Sequence, residues 1–139
     1  MGVTVKIRVL ALIVLLLLIV TQSTCTYTYR ELKPVSEIVI KDRQITVKKI
    51  DDPMIISKLV EFINKRREGW IEPITGFPST KVYIELYRDG QYIGSFGVTE
   101  NSFSMQRTGE WRSKPATEQE VQELLNLLGI DKALLHETE

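Results

Sequence analysis

Cysteine is all but missing from this chain. Cys25 stands alone, so the residues beyond it can form no disulfide, iron–sulfur cluster or thiolate zinc site. Histidine is as scarce: His136, near the C-terminus, is the only one. A Ser/His or Cys/His dyad needs both groups held within hydrogen-bond reach, and a residue close to a fraying end is a poor base. Excess charge of one sign is missing too. The 18 Lys+Arg and 18 Asp+Glu balance, and with Lys6 and Arg8 set apart near the N-terminus the remainder is slightly acidic. That leaves no electrostatic footprint for wrapping nucleic acid, and no nucleic-acid partner is expected.

Several motifs are absent as well. There is no P-loop and no Gly-x-Gly-x-x-Gly. Gly94-Ser95-Phe96-Gly97 falls inside a strand pattern, where glycine marks a bulge or a close backbone approach. Asn64, Asn101 and Asn126 all lack a hydroxyl residue two positions on, so no glycosylation sequon exists, which suits a bacterial envelope protein better than a eukaryotic secreted one. Asp51-Asp52 is a carboxylate pair in sequence, but neighbours rarely face one centre, and Asp52 is better used as a helix cap. No metal and no cofactor is expected.

What the chain has in plenty is an apolar start. Lys6 and Arg8 precede an unbroken run from Val9 to Val20, rich in Leu, Ile and Val. As a helix those twelve residues span about 18 Å, less than the ~30 Å of a hydrocarbon core. A charged start, a short apolar stretch and small polar residues make the profile of an export signal. Three outcomes follow. Cys25 could be lipidated, although Gln22-Ser23-Thr24 lacks the branched aliphatic and small residues such motifs prefer. Cleavage within 21–26 would release the domain by secretion. An uncleaved anchor would use the charge-free stretch 9–29 and place Tyr27 and Tyr29 at the interface. Retained attachment, by lipid or by helix, is favoured, with the domain on the extracytoplasmic side. The organisation expected is a signal or anchor at 1–25, a linker at 26–34, a domain at 35–130 and a tail at 131–139.

Hydrophobic content of 43% with 26% charged residues is globular. Residues 35–40 and 45–50 are β-branched runs on either side of Lys41-Asp42-Arg43-Gln44, which predicts a hairpin. Asp52 as N-cap and Pro53 in the first turn begin a helix. Ile55, Ile56, Leu59, Val60 and Ile63 make its apolar face, and Lys65-Arg66-Arg67 with Gly69 close it. After an irregular stretch at 70–80, Asp89-Gly90 between alternating runs at 81–88 and 91–98 predicts a second hairpin with Arg88 opposite Gln91. That register puts Gly94 opposite Glu85. A shorter strand at 102–107 continues the meander. Thr117 and Glu120 form a capping box, Val121, Leu124, Leu125 and Leu128 an inner face, and Gly129-Ile130 a glycine cap. The order ββαβββα is an α+β domain: a largely antiparallel sheet with two helices on one face.

Function is then a matter of the other face. The same register puts Val82, Ile84, Leu86 and Ile93 on one side, and Tyr83, Tyr87, Tyr92 and Phe96 on the other, with Glu85 among them. Trp70, Phe77 and Trp111 come from neighbouring loops. Tyrosine and tryptophan are enriched at interfaces, so the expectation is a non-enzymatic module that binds another envelope protein through these seven aromatics. Against this stands a plainer reading, that strands favour aromatics and the loop folds over them as a second small core. The rival function is an envelope hydrolase or carbohydrate-binding module using Glu85 or Glu72 beside aromatics. Glu110 is a further acid, but no spacing selects a catalytic pair.

Overall fold

The computed structural model describes residues 2–20, 25–73, 80–107 and 109–136. Phe77, one of the seven aromatics, lies outside the described residues. The elements run α1 (Gly2–Val20), β1 (Glu37–Asp42), β2 (Ile45–Ile50), α2 (Pro53–Asn64), β3 (Val82–Arg88), β4 (Gln91–Val98), β5 (Ser102–Arg107), β6 (Glu110–Pro115) and α3 (Glu118–Leu128), with a last 3₁₀ turn at Lys132–Leu135. Among the described residues no helix is long and apolar enough to cross a membrane.

The strands form one antiparallel sheet in the order β2-β1-β3-β4-β5-β6. The fold is therefore α+β, as the pattern predicts, with one strand more. β6, with the sequence Glu-Trp-Arg-Ser-Lys-Pro, has no β-branched residue and no alternation to announce it. Its place is earned by pairing along all of β5.

Local chemistry sets the helices. Asp52 accepts from the Met54 amide at 2.9 Å, and Pro53 needs no partner at the first position. α2 buries Ile56, Leu59, Phe62 and Ile63, while Ile55 and Val60 of the predicted face are half-buried. The predicted glycine cap is not there. α2 ends on Lys65 in right-handed geometry, and Gly69, at φ +78°, turns the chain four residues further on. α3 follows its pattern closely. Thr117 and Glu120 exchange both bonds of the capping box, Gly129 is left-handed, and Val121, Leu124, Leu125 and Leu128 are buried. Arg66 Nε bonds Glu120 at 3.0 Å and ties the two helices together on one face of the sheet.

Between sheet and helices lies an aromatic core. Phe96 and Phe103 sit 5.0 Å apart, Phe62 meets Phe103 at 5.7 Å, and Trp70 meets Phe96 at 6.1 Å, measured between ring centres. Offset and edge-on pairs of this kind add to the burial of large apolar area.

The segment expected to be a linker is packed into this core. Tyr29 and Leu32 are both 4% exposed. Tyr29 donates its hydroxyl to the Met105 carbonyl at 3.2 Å. Asn64 clamps Leu32 at both backbone groups, accepting from its amide at 2.7 Å and donating to its carbonyl at 3.2 Å. Tyr27 pairs with Trp70, and Ile71 pairs with Ser113 of β6. These short bridges cover the β6 edge of the sheet, so residues 27–36 form a strap across the domain. Among the described residues no strand pairs with the opposite edge, β2. Ile45 there is 73% exposed, and Lys48 and Lys49 provide the charge that keeps exposed edges from pairing.

Candidate functional site

The outer face of the sheet is built by alternation along β3. Val82, Ile84 and Leu86 point into the core, and Tyr83, Glu85 and Tyr87 point away from it. Asp89-Gly90 makes the turn, and Arg88 stands opposite Gln91 and Tyr87 opposite Tyr92, as predicted. Beyond that point the register shifts. Leu86 faces Gly94, Glu85 faces Ser95 and Ile84 faces Phe96, so β4 carries one extra residue, Ile93. Such a bulge changes the side to which every later residue points. Gly94 therefore does not oppose Glu85, and Phe96 belongs to the core, where it is fully buried.

Trp70 is a second correction. It too is 0% exposed, and its indole nitrogen donates to the Arg66 carbonyl at 2.6 Å. An aromatic in a loop after a helix reads as surface when only its neighbours in sequence are known. Here the strap and β6 close around it. Tyr27 is 41% exposed, with the Arg112 guanidinium 3.6 Å above its ring, while Tyr29 is core.

Four aromatics remain on the outer face. Tyr87 and Tyr92 meet edge-on at 5.9 Å, and Tyr83 and Trp111 at 6.0 Å. The second pair spans unusual ground, because β3 and β6 are three strand spacings apart, about 14 Å. The rings can meet because the residues between are small: Ser95 and Gly97 on β4 and Ser104 on β5, all buried. A Cβ on Gly97 would strike Ser104 and come within 2.7 Å of Thr80. This part of the face is closely packed; the loop that the plainer reading folds over it lies mostly outside the described residues. Tyr92, by contrast, is 49% exposed.

Polar bonds hold the face in place. Lys41 Nζ pairs with Glu85 Oε1 at 3.0 Å, the Tyr87 hydroxyl donates to Glu85 Oε2 at 2.8 Å, and the Tyr92 hydroxyl donates to Gln106 at 3.2 Å. Both oxygens of Glu85 are thus engaged. Glu110 bonds Arg112 at 2.6 Å, and Glu72 is exposed just past the Ile71 bridge. His136 lies beside Glu100 on the surface. Among the described residues no three His, Cys, Asp or Glu side chains stand close enough to hold a metal.

The hydrogen bond to Glu85, with some burial, pushes the Tyr87 hydroxyl from 10.0 up to about 12, since a phenolate there would face a carboxylate. The native state keeps this proton longer than the unfolded chain does. The stabilisation is complete below pH ~10 and is lost as pH rises toward ~12. Glu85→Gln should bring the Tyr87 titration back toward the ordinary tyrosine range, read by following its ring signals with pH. An unchanged midpoint would mean that the bond to Glu85 does not hold the proton.

A concavity of about 550 Å³ lies between the strap and α2, lined by Leu32, Pro34, Val35, Pro53, Ile56 and Val60, together with Glu31 and Asp51. It could take an apolar segment. Sequence reasoning missed both this groove and the strap. The one local hint was the alternation Thr26-Tyr27-Thr28-Tyr29, a strand-like pattern soon after the apolar N-terminal run.

The class defined by this architecture is a single-sheet α+β domain with two helices on one face and a tethered, part-aromatic surface on the other. Beyond that, the chain matches no family model, no curated protein and no solved structure.

Proposed function

We propose that this protein is a membrane-attached domain of bacterial-envelope type, on the extracytoplasmic side, that binds another protein through the outer face of its sheet and performs no catalysis. The observation that carries the reading is the pair Tyr87 and Tyr92, fixed by Glu85 and Gln106 on the face opposite the helices. Rigid aromatics with one polar end suit a binding anchor, because little side-chain entropy is left to lose. Attachment is supported by α1. Its described apolar side chains, from Val3 to Leu15, are 48% to 72% exposed, and a helix apolar on every side needs an apolar environment. The segment 1–25 would provide it by insertion, by an acyl chain on Cys25, or by both.

A photo-crosslinking amino acid in place of Tyr92, in cells producing the full chain, should give one discrete adduct in the envelope fraction. The same group in place of Gln119, exposed on α3, should give none. The reading is sunk by silence at 92, or by the same adducts at both positions.

A further inference from the structure

We propose that the groove between the strap and α2 binds a small organic cation, an apolar body carrying a protonated amine. None of its lining residues lies on β3 to β6, so it is a site separate from the outer face of the sheet. Binding there is independent of whatever Tyr87 and Tyr92 do.

The space fits such a ligand. A volume of about 550 Å³ falls within the range of small-molecule sites, and an apolar lining suits a hydrocarbon body. The walls are fixed from both sides. On the strap, Leu32 is held by Asn64, the Ser36 amide donates to the Tyr87 carbonyl at 2.9 Å, and Arg88 Nε donates to the Pro34 carbonyl at 2.7 Å. On the other wall, the Asp52 cap fixes the start of α2, from which Pro53, Ile56 and Ser57 line the groove. A site shaped before its ligand arrives loses little conformational entropy on binding.

Charge then selects the ligand's polar end. Glu31 and Asp51 both line the groove, and none of the lining side chains is cationic. Among the described residues neither carboxylate has an ion-pair partner. Other polar side chains of the lining are committed elsewhere: Asn64 to both backbone groups of Leu32, and Ser36 Oγ to the Tyr87 carbonyl and the Asp89 amide. The ring outside the lining carries both signs. Arg30, Lys33, Lys58 and Arg88 stand beside Glu37, Asp52 and Asp89, and Lys65 is taken by Glu61. No net field is needed, because a bound amine meets Glu31 and Asp51 at contact range, where attraction is strongest. Both carboxylates are exposed, so water weakens that attraction. The apolar body therefore supplies most of the affinity, and the carboxylates supply the choice of sign.

The probe is phenylbutylamine, with phenylbutanol as its uncharged counterpart, added to the full chain in zwitterionic detergent micelles. Binding is read from methyl NMR signals, which should move at Leu32, Val35, Ile56 and Val60. They should stay still at Val82 and Val98, at the opposite end of the sheet. A Kd on the order of 1 mM is expected for a ligand of this size. Glu31→Gln with Asp51→Asn should weaken the amine about fivefold and leave the alcohol unchanged. Comparing each ligand with itself removes its partition into the micelle. Ser57→Trp, at an exposed lining position, should block both ligands, with the Val82 and Val98 signals in place to report the intact fold. Amine binding indifferent to the double substitution, shifts scattered beyond the groove, or no shift up to the solubility limit overturns the proposal. A photo-crosslinking amino acid in place of Ser57, in cells producing the full chain, should give no protein adduct. A discrete adduct with another protein, or with a second copy of this chain, gives the groove to that partner and overturns the small cation.

Discussion

Trp70→Ala is expected to cost the domain about 3–5 kcal/mol, a large part of the stability of a domain of this size. The side chain is 0% exposed and its ring meets Tyr29 at 5.4 Å and Phe96 at 6.1 Å. Its indole nitrogen donates to the Arg66 carbonyl. Truncation would open a cavity where the strap, the end of α2 and β6 come together, and would leave that carbonyl without its donor. The midpoint of urea or thermal unfolding, measured on the full chain in detergent micelles, should fall sharply. Tyr92→Ala, at a site 49% exposed, should shift stability by about 1 kcal/mol or less. The opposite order, with Trp70→Ala melting near the parent, would mean that Trp70 is a surface residue and that the strap does not close over it.

Gly94→Ala is the second large effect. Gly94 has φ +153°, and a Cβ there would lie 2.6 Å from the backbone oxygen of Gln106. Strain at such a conformation costs about 1–3 kcal/mol, and overpacking adds a similar amount. A carbonyl in the neighbouring strand cannot swing aside as a flexible side chain would. The two ways out are separation of β4 from β5 or loss of the bulge. Losing the bulge would turn Phe96 away from the core, at the further cost of its ring contacts. Gly109→Ala separates the terms, because Gly109 has φ +81° but nothing within 4 Å of its would-be Cβ. It should cost distinctly less than Gly94→Ala in the same unfolding measurement. Equal costs would mean that the collision with Gln106 does not exist and that β4 runs in another register.

Some elements could be read from neighbours along the chain. The capping box of Thr117 and Glu120, the glycine cap at Gly129 and the Asp89-Gly90 turn each depend on residues within a few positions of one another, so the local sequence holds all the information they need. The same is true of the buried stripe on α3. Phe62 was harder. It falls one position from the predicted face of α2, and it is buried because Phe96 and Phe103 stand opposite it. The candidate site was read in part: Tyr83, Glu85 and Tyr87 alternate outward along a regular strand, whereas Phe96 was misplaced by one inserted residue and Trp70 by a contact with Tyr29, 41 positions away.

By itself, then, the sequence determined an α+β domain after an apolar N-terminal stretch, two capped helices and the two hairpins, because period and turn chemistry act over a few residues. Only the tertiary structure decided which aromatics are surface and which are core, that β6 joins the sheet, and that 27–36 is a strap. Each of those depends on what lies across a strand pair or beneath a helix, and pairing partners far apart in sequence leave no mark on the local pattern of either one.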